Sequence, residues 1–292
     1  MSNKSGDSLT DSLAKIANNY QSSKVVPVKA KEPQKKTPSI KKVQEKPVNT
    51  EQLTRTYEGE IFHDLNWSNL SKDELLLENC EFHCCDFSGA SLAYLQAKGC
   101  TFHDCNFKDA SLKEAVFETC SFFDSEKQKG CYFYAAELVN SRFFQCDLSL
   151  ADFERADVFA IEISSSKAQG CSFKQANFTN VVSRRKLFCS AFLTDSNFRY
   201  ADFERCQLVS CDLNGSSFIN ANFFQTNLEK CQLINADLTG IQFERLSLAG
   251  ADLRNAQLDN LDIRKIDLQD AKINDWQQSV LLESLGIICF PD

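Results

Sequence analysis

Glycine is scarce in this chain, ten in 292 residues, and methionine and tryptophan are rarer still at one and two. The residues present offer no phosphate-binding glycine loop, no nucleophile elbow, no zinc-protease helix and no recognisable catalytic pair of carboxylates. No apolar run is long enough to cross a bilayer, and no shorter one resembles the core of a secretion signal. These absences set aside the common enzyme classes, a membrane span and an exported, disulfide-stapled fold. The fourteen cysteines are therefore expected to be reduced thiols of a cytoplasmic protein.

What is abundant points elsewhere. Phe numbers 24, and Asp, Asn, Ala and Cys recur beside Phe or Leu, a bias that announces an internal repeat. The net charge of −8 hides a division: residues 1–50 hold ten Lys and four acids, leaving 22 basic and 36 acidic residues in 51–292. An acidic body repels nucleic acid and membrane surfaces and is drawn to a basic groove. Direct nucleic-acid binding by the folded part is not expected.

Residues 21–50 are rich in Lys, Pro and Ser without an aromatic residue, the composition of a solvated linker. Leu9, Leu13, Ile16, Ala17 and Tyr20 ahead of it fall at helical spacing, enough for a short amphipathic helix. Residues 1–50 are expected to be a disordered tail and 51–79 an N-terminal cap region. From 80 to 274 a five-residue period takes over. Its large apolar centres are Phe82, Phe87, Leu92, Phe102, Phe107, Leu112, Phe117 and Phe122, then, after a slip of one residue, Phe133, Leu138, Phe143 and onward every fifth residue to Ile273, save Ala168 and Ser183. Two residues before each centre sits a small side chain, as in Ala151, Cys171, Ala201 and Cys231, with Asp or Asn commonly between.

Period five fits neither an α-helix nor a strand, so the chain must turn within every unit. Four units close a square coil of twenty residues, and coils stack with β-type hydrogen bonds about 4.8 Å apart. The expected fold is an all-β solenoid, a right-handed quadrilateral β-helix of about ten coils, on the order of 45–50 Å long at that spacing. Residues twenty apart should then stack. One interior column is expected to run Phe133, Phe153, Phe173, Leu193, Leu213, Leu233, Leu253, Ile273, and another Phe143, Ile163, Ser183, Phe203, Phe223, Phe243, Ile263. Larger residues at the small site, Ile161, Val181, Ile241 and Leu261, should share one face. A filled interior leaves no substrate cavity, so no catalytic residue and no cofactor is expected.

Two breaks interrupt the repeat, and a solenoid projects such segments as loops that carry recognition. The first comprises Phe123, Asp124, Ser125, Glu126, Lys127, Gln128, Lys129 and Gly130. The second comprises Thr179, Asn180, Val181, Val182, Ser183, Arg184, Arg185, Lys186, Leu187, Phe188, Cys189 and Ser190, and leaves the phase of five unchanged. After Ile273, Asp275 is placed to N-cap a helix that ends at Gly286. Its apolar set, Trp276, Val280, Leu281, Leu282, Leu285, Ile287, Ile288 and Phe290, is too large to lie alone on solvent, so 275–292 should cover the end of the coil, join a second copy or do both; joining a second copy is the preferred reading and a purely intramolecular cap the alternative. His63, His83 and His103 are spaced twenty apart and should stack on one outer face near Cys84, Cys85 and Cys105. Rings stacked at β spacing do not converge on a metal, and no metal site is expected.

Three stretches stand out: DSEKQKGCYF at 124–133, KAQGCSFKQANFTNVVSRRKLFCSAF at 167–192 and LDIRKIDLQDAKINDWQQSVLLESLGI at 261–287. Through them the chain, over residues 100–292, resembles the Qnr family of quinolone-resistance pentapeptide-repeat proteins. The resemblance implies a C-terminal homodimer, a rod that imitates duplex DNA, and protection of DNA gyrase, with topoisomerase IV as a second partner, through the two loops. The outward Asp147, Asp152, Asp157, Glu162, Asp202, Asp212, Asp237, Asp252, Asp262 and Asp267 are candidate phosphate surrogates, although Asp also suits this position for turn geometry alone. The front departs from the family pattern, with the Lys-rich tail and about one extra coil around 80–99. A structural solenoid with an unrelated protein partner is the alternative.

Overall fold

The computed structural model describes residues 43–44, 55–183 and 186–290, with the backbone alone at 43–44, 181–183, 186 and 187. The expected tail otherwise lies outside the described residues, as do Arg184 and Arg185. Within each five-residue unit the small residue and the centre both point inward, so Ala151 and Phe153, or Cys231 and Leu233, are fully buried. The residue between them points out and joins the sheet. Two positions past the centre the chain turns a corner with positive φ, as at Asn69 (57°), Arg155 (58°) and Asn235 (60°). Such backbone costs about 1–2 kcal/mol for a residue with a Cβ. Most corner N–H groups are used in return: Asn69 donates to Ser88 O at 2.9 Å and Arg155 to Lys174 O at 3.1 Å, one coil on.

Four parallel ladders run along the coil, one per face. The first passes through Ile61, Glu81, Thr101, Ser121, Asp147, Lys167, Asn197, Ser217, Asp237 and Gln257. The chain then meets a second face carrying Asp86, Asn106, Tyr132 and Asp152, and a third carrying Ser91, Ser111, Glu137 and Asp157. On the fourth, Thr56–Glu58, Leu76–Glu78, Gln96–Lys98 and Val116–Glu118 pair in order. Along the first ladder every step is twenty residues except two, Ser121 to Asp147 and Lys167 to Asn197. The first break thus inserts six residues and the second ten.

The ten-residue insertion overturns the expected columns. Because ten is a multiple of five the phase survives, but ten residues also equal half a coil, so centres beyond it change face by two. Phe173 stacks on Phe203 rather than Leu193, and Ile163 pairs with Leu193. The backbone of Ser183 lies in the strand Thr179–Ser183 of the insertion, not at a coil position between Ile163 and Phe203. The larger small-site residues divide likewise: Ile161 is level with Ala191 on the fourth face, whereas Ile241 precedes Gln242 on the second.

Aromatic stacking fills the interior. Phe62, Phe82, Phe102 and Phe122 follow one another with ring centroids 4.8–4.9 Å apart, and Phe107, Phe133, Phe153 and Phe173 at 4.8 Å. Neighbouring columns meet edge to face, as Phe82 does with Phe87, an arrangement worth about 0.5–1.5 kcal/mol per pair beyond area burial. Residues 55–79 already wind in this coil rather than forming a separate cap: Tyr57, Phe62, Trp67 and Leu77 are buried in the same columns. Even Val43–Gln44, assigned above to the tail, pair with Ile61 and Phe62.

The far end is closed by the helix Gln277–Glu283. Its N-cap is Trp276, with no side-chain bond from Asp275. Gln277, 1% exposed, does the closing. Its Nε2 donates to Leu253 O and Ala256 O, each at 2.8 Å, and its Oε1 accepts from Asn274 N at 2.7 Å. Gly286 ends the segment as expected, at φ 73°, with its N–H bonded to Glu283 O and that of Ile287 to Leu282 O, the paired closure of a Schellman motif.

Candidate partner interface

Both breaks are antiparallel hairpins. In the first, Phe123–Asp124 pairs with Lys129–Gly130. Asp124 shapes its tip by accepting the N–H of Glu126 at 2.9 Å and of Lys127 at 3.1 Å, and Gln128 donates to Ser125 O. Ser125, Glu126, Lys127, Gln128 and Lys129 are exposed. Gly130 is required by close approach, since a Cβ there would lie 2.2 Å from Leu150 C and 2.3 Å from Ala151 N. Phe122 O closes the neck by accepting Cys131 N.

In the second hairpin Thr179–Ser183 pairs with Lys186–Cys189, opposing Thr179 to Cys189, Asn180 to Phe188 and Val181 to Leu187, with an irregularity between Val181 and Ser183 at Val182. Asn177 launches it by accepting both the N–H and the hydroxyl of Thr179. Phe188, counted above among the interior centres, is 44% exposed and packs edge-on against Phe159. Ser190 returns to the coil through bonds with Phe178 and Ala160. The first hairpin leaves between faces one and two and the second between faces three and four, at diagonally opposite corners.

Nine of the ten acidic candidates sit on ladders that encircle the coil instead of lining one side. Asp147 and Asp237 lie on the first face, Asp152 and Asp202 on the second, Asp157 and Asp267 on the third, and Glu162, Asp212 and Asp252 on the fourth. All but Glu162 accept the backbone N–H two residues on, from 2.9 Å at Asp152 and Asp202 to 3.4 Å at Asp252. Turn geometry is therefore a sufficient reason for Asp at these sites. Asp252 is not outward: it is 2% exposed and clasped in a fork by Arg254. Asp262 is gripped by Arg264 in the same way, which pulls its pKa down to about 2. Burial raises that of Asp157. Asp147 has Lys167 at 3.9 Å. Among the described residues, Asp152, Glu162, Asp202, Asp212, Asp237 and Asp267 have no basic nitrogen within ion-pair distance, and they remain the solvent-facing charges.

His63, His83 and His103 stack at 4.6 and 4.7 Å on the first face. Burial, then the His103 and His63 rings, lowers the pKa of His83. Among the described residues no cluster of three or more His, Cys, Asp and Glu could hold a metal. Cys85 and Cys105 are buried while Cys84 is exposed. Burial pushes the thiols at Cys171, Cys206, Cys211 and Cys231 far up, so they behave as small apolar residues.

At the C-terminus the apolar set divides. Leu281 is 7% exposed and belongs to the chain's own core, with Val280 packed beside it and Leu282 half-buried. Trp276, Leu285, Ile287, Ile288 and Phe290 are exposed, the last two at 76% and 84%. Two groups escaped the sequence reading: Gln277, hidden among helix formers, and Asp104, whose part in the first hairpin appears only when coils are stacked.

A right-handed, four-sided parallel coil built on a buried five-residue period defines a pentapeptide-repeat solenoid. Family models agree, matching pentapeptide repeats over 80–122 and a pentapeptide repeat region over 184–258. Full-length QnrB1, described as a plasmid-mediated fluoroquinolone resistance protein, is 32% identical and superposes with a TM-score of 0.62, covering 80% of this chain and 100% of its own. The pentapeptide repeat protein QnrB4 of Escherichia coli is 44% identical over 90 residues, 31% of this chain and 42% of the relative. VPA0095 of Vibrio parahaemolyticus is 36% identical over 141 residues, 48% and 65% respectively. The chain thus spans about two fifths of the length of QnrB4 and about two thirds of that of VPA0095. On this likeness the chain belongs to the Qnr-type pentapeptide-repeat family. No helix among the described residues is long and apolar enough to cross a membrane.

Proposed function

We propose that this protein is a non-enzymatic, cytoplasmic binding protein that docks on DNA gyrase, and secondarily on topoisomerase IV, and protects the enzyme from quinolone-type inhibitors or toxins. The observation that carries the reading is an acidic coil with two projecting hairpins that superposes on QnrB1 over the whole of that chain. A topoisomerase groove that holds phosphates is basic, and a rigid acidic rod competes for it through summed charge. The coil supplies stiffness and field, and the hairpins supply specific contact. The exposed Trp276, Leu285, Ile287, Ile288 and Phe290 are suited to burial between two copies, which makes the working form a homodimer.

The carboxylates are engaged by turns and spread over four faces, which favours the hairpins over any one acidic ladder as the source of specificity. The test is gyrase supercoiling in ciprofloxacin with the full chain, a chain lacking 1–50 and a chain lacking 180–189, the ten residues whose removal keeps the later coils in register. Rescue by the first two and none by the third is expected. No rescue by the full chain overturns drug protection, and rescue without 180–189 overturns the role of the second hairpin.

A further inference from the structure

The first hairpin is fastened down by a residue from the coil beneath it. Asp104 occupies a corner of the first face at φ 52°. One of its oxygens lies 2.9 Å from Lys127 Nζ and the other 2.5 Å from Lys129 Nζ. Lys127 comes from the hairpin turn and Lys129 from the returning strand, so one carboxylate grips both. Lys127 Nζ reaches further, to 3.3 Å from Cys84 Sγ one coil nearer the N-terminus. The hairpin is thereby laid along the first face, on the side of the stacked histidines.

We infer that Asp104 is the positioning residue of the first hairpin, fixing the direction in which it meets a partner. Asp124 has a separate task, since its bonds to Glu126 and Lys127 N–H shape the tip from within. Without Asp104 the hairpin keeps its turn and loses its bearing. Exposed ion pairs are individually weak, but here one carboxylate only 23% exposed serves two ammonium groups, and both lower its pKa. A loop held in place before binding pays less ordering entropy on contact.

The inference rests on the reading that this hairpin touches gyrase, and its test separates the two. Amide hydrogen exchange at 125–129, corrected for intrinsic rates, is measured in the full-length protein and in Asp104→Asn. A second variant, Lys127→Gln with Lys129→Gln, releases the latch from the solvent side without altering the coil. Both should speed exchange there by about fivefold to tenfold while leaving exchange in the coil unchanged, and both should raise the concentration needed to protect gyrase by a similar factor. Asp104→Glu should restore much of both. Unchanged exchange in both variants overturns the latch. Faster exchange with undiminished protection overturns the positioning role. Failure of the unaltered protein to protect gyrase overturns the proposed function, and exchange alone then decides the latch.

Discussion

Phe173 and Phe203 are thirty residues apart and stack face to face, centroids 5.2 Å apart and planes within 7°. The contact passes beneath the second hairpin without using it. Deleting 180–189 should therefore keep this stack and leave the thermal midpoint within about 5 °C of the parent. Deleting only 180–184 should place every later coil one face out of step and abolish a single cooperative transition. Calorimetry on the two deletions checks this, and equal behaviour of the pair would sink it.

Gly130 has no room for a methyl group, because backbone of the next coil occupies the position. Gly130→Ala should force apart the neck of the first hairpin and cost roughly 1–3 kcal/mol, as overpacking does. Denaturant unfolding measures it. Gly99 gives the comparison for backbone strain: its φ of 61° makes a Cβ cost about 1–2 kcal/mol, while the added atom meets only the Asn79 side chain.

Gln277 plugs the end of the coil with two donated bonds and one accepted bond. Gln277→Ala should lower stability by about 1–3 kcal/mol, since buried carbonyls lose their donors. Gln277→Glu should do more harm at neutral pH, because it sets a carboxylate against two carbonyl oxygens. A reversed order in thermal melts would contradict the plug.

The histidine stack makes the first coils acid-sensitive. His83 has a folded pKa below its ordinary 6.5, through burial and then the two flanking rings. Lys127 adds to the effect, while Asp124 and Glu81, whose Oε2 is 3.7 Å away, oppose it. The folded state thus binds fewer protons than the unfolded state, so stability falls as pH drops below 6.5 toward the depressed value. Amides of Ile61–His63, Glu81–His83 and Thr101–His103 should exchange faster at pH 5.5 than at 7.5 after correction for intrinsic rate. Equal rates would refute it.

Charge and turn can be separated at the acidic positions. Asn also accepts the N–H two residues on, as Asn106 and Asn222 do. Asp152→Asn, Asp212→Asn and Asp237→Asn together should hold stability near the parent, within about 0.5 kcal/mol per site, while weakening binding to gyrase and flattening its salt dependence. The matching Ala triple should lose stability as well. Affinity unchanged in the Asn triple would mean these carboxylates serve the turns alone.

From residue 80 onward most of the five-residue period was legible in the sequence, because a solid core accepts only small and large apolar side chains at fixed alternation. Which centres stack was not legible beyond Phe173. A ten-residue insertion is silent to a period of five, yet it carries Leu193 away from the Phe173 column. The outward acids were found and their fitness for turns was foreseen, but which of them make the turn bond, and the burial of Asp252, emerged only with the backbone in place. Trp67 and Tyr57 were overlooked because Lys72 interrupts their pattern. Gln277 had no local signal, since what makes it a plug is the open rim of carbonyls more than twenty residues upstream.

The two hairpins stand at opposite corners of a square cross-section. A flat surface laid against the coil can touch one of them and is shielded from its counterpart by the body itself. A protein that senses both from one copy must have two walls and a gap between them about one coil wide, so the placement of two short insertions already selects for a cleft over a plane.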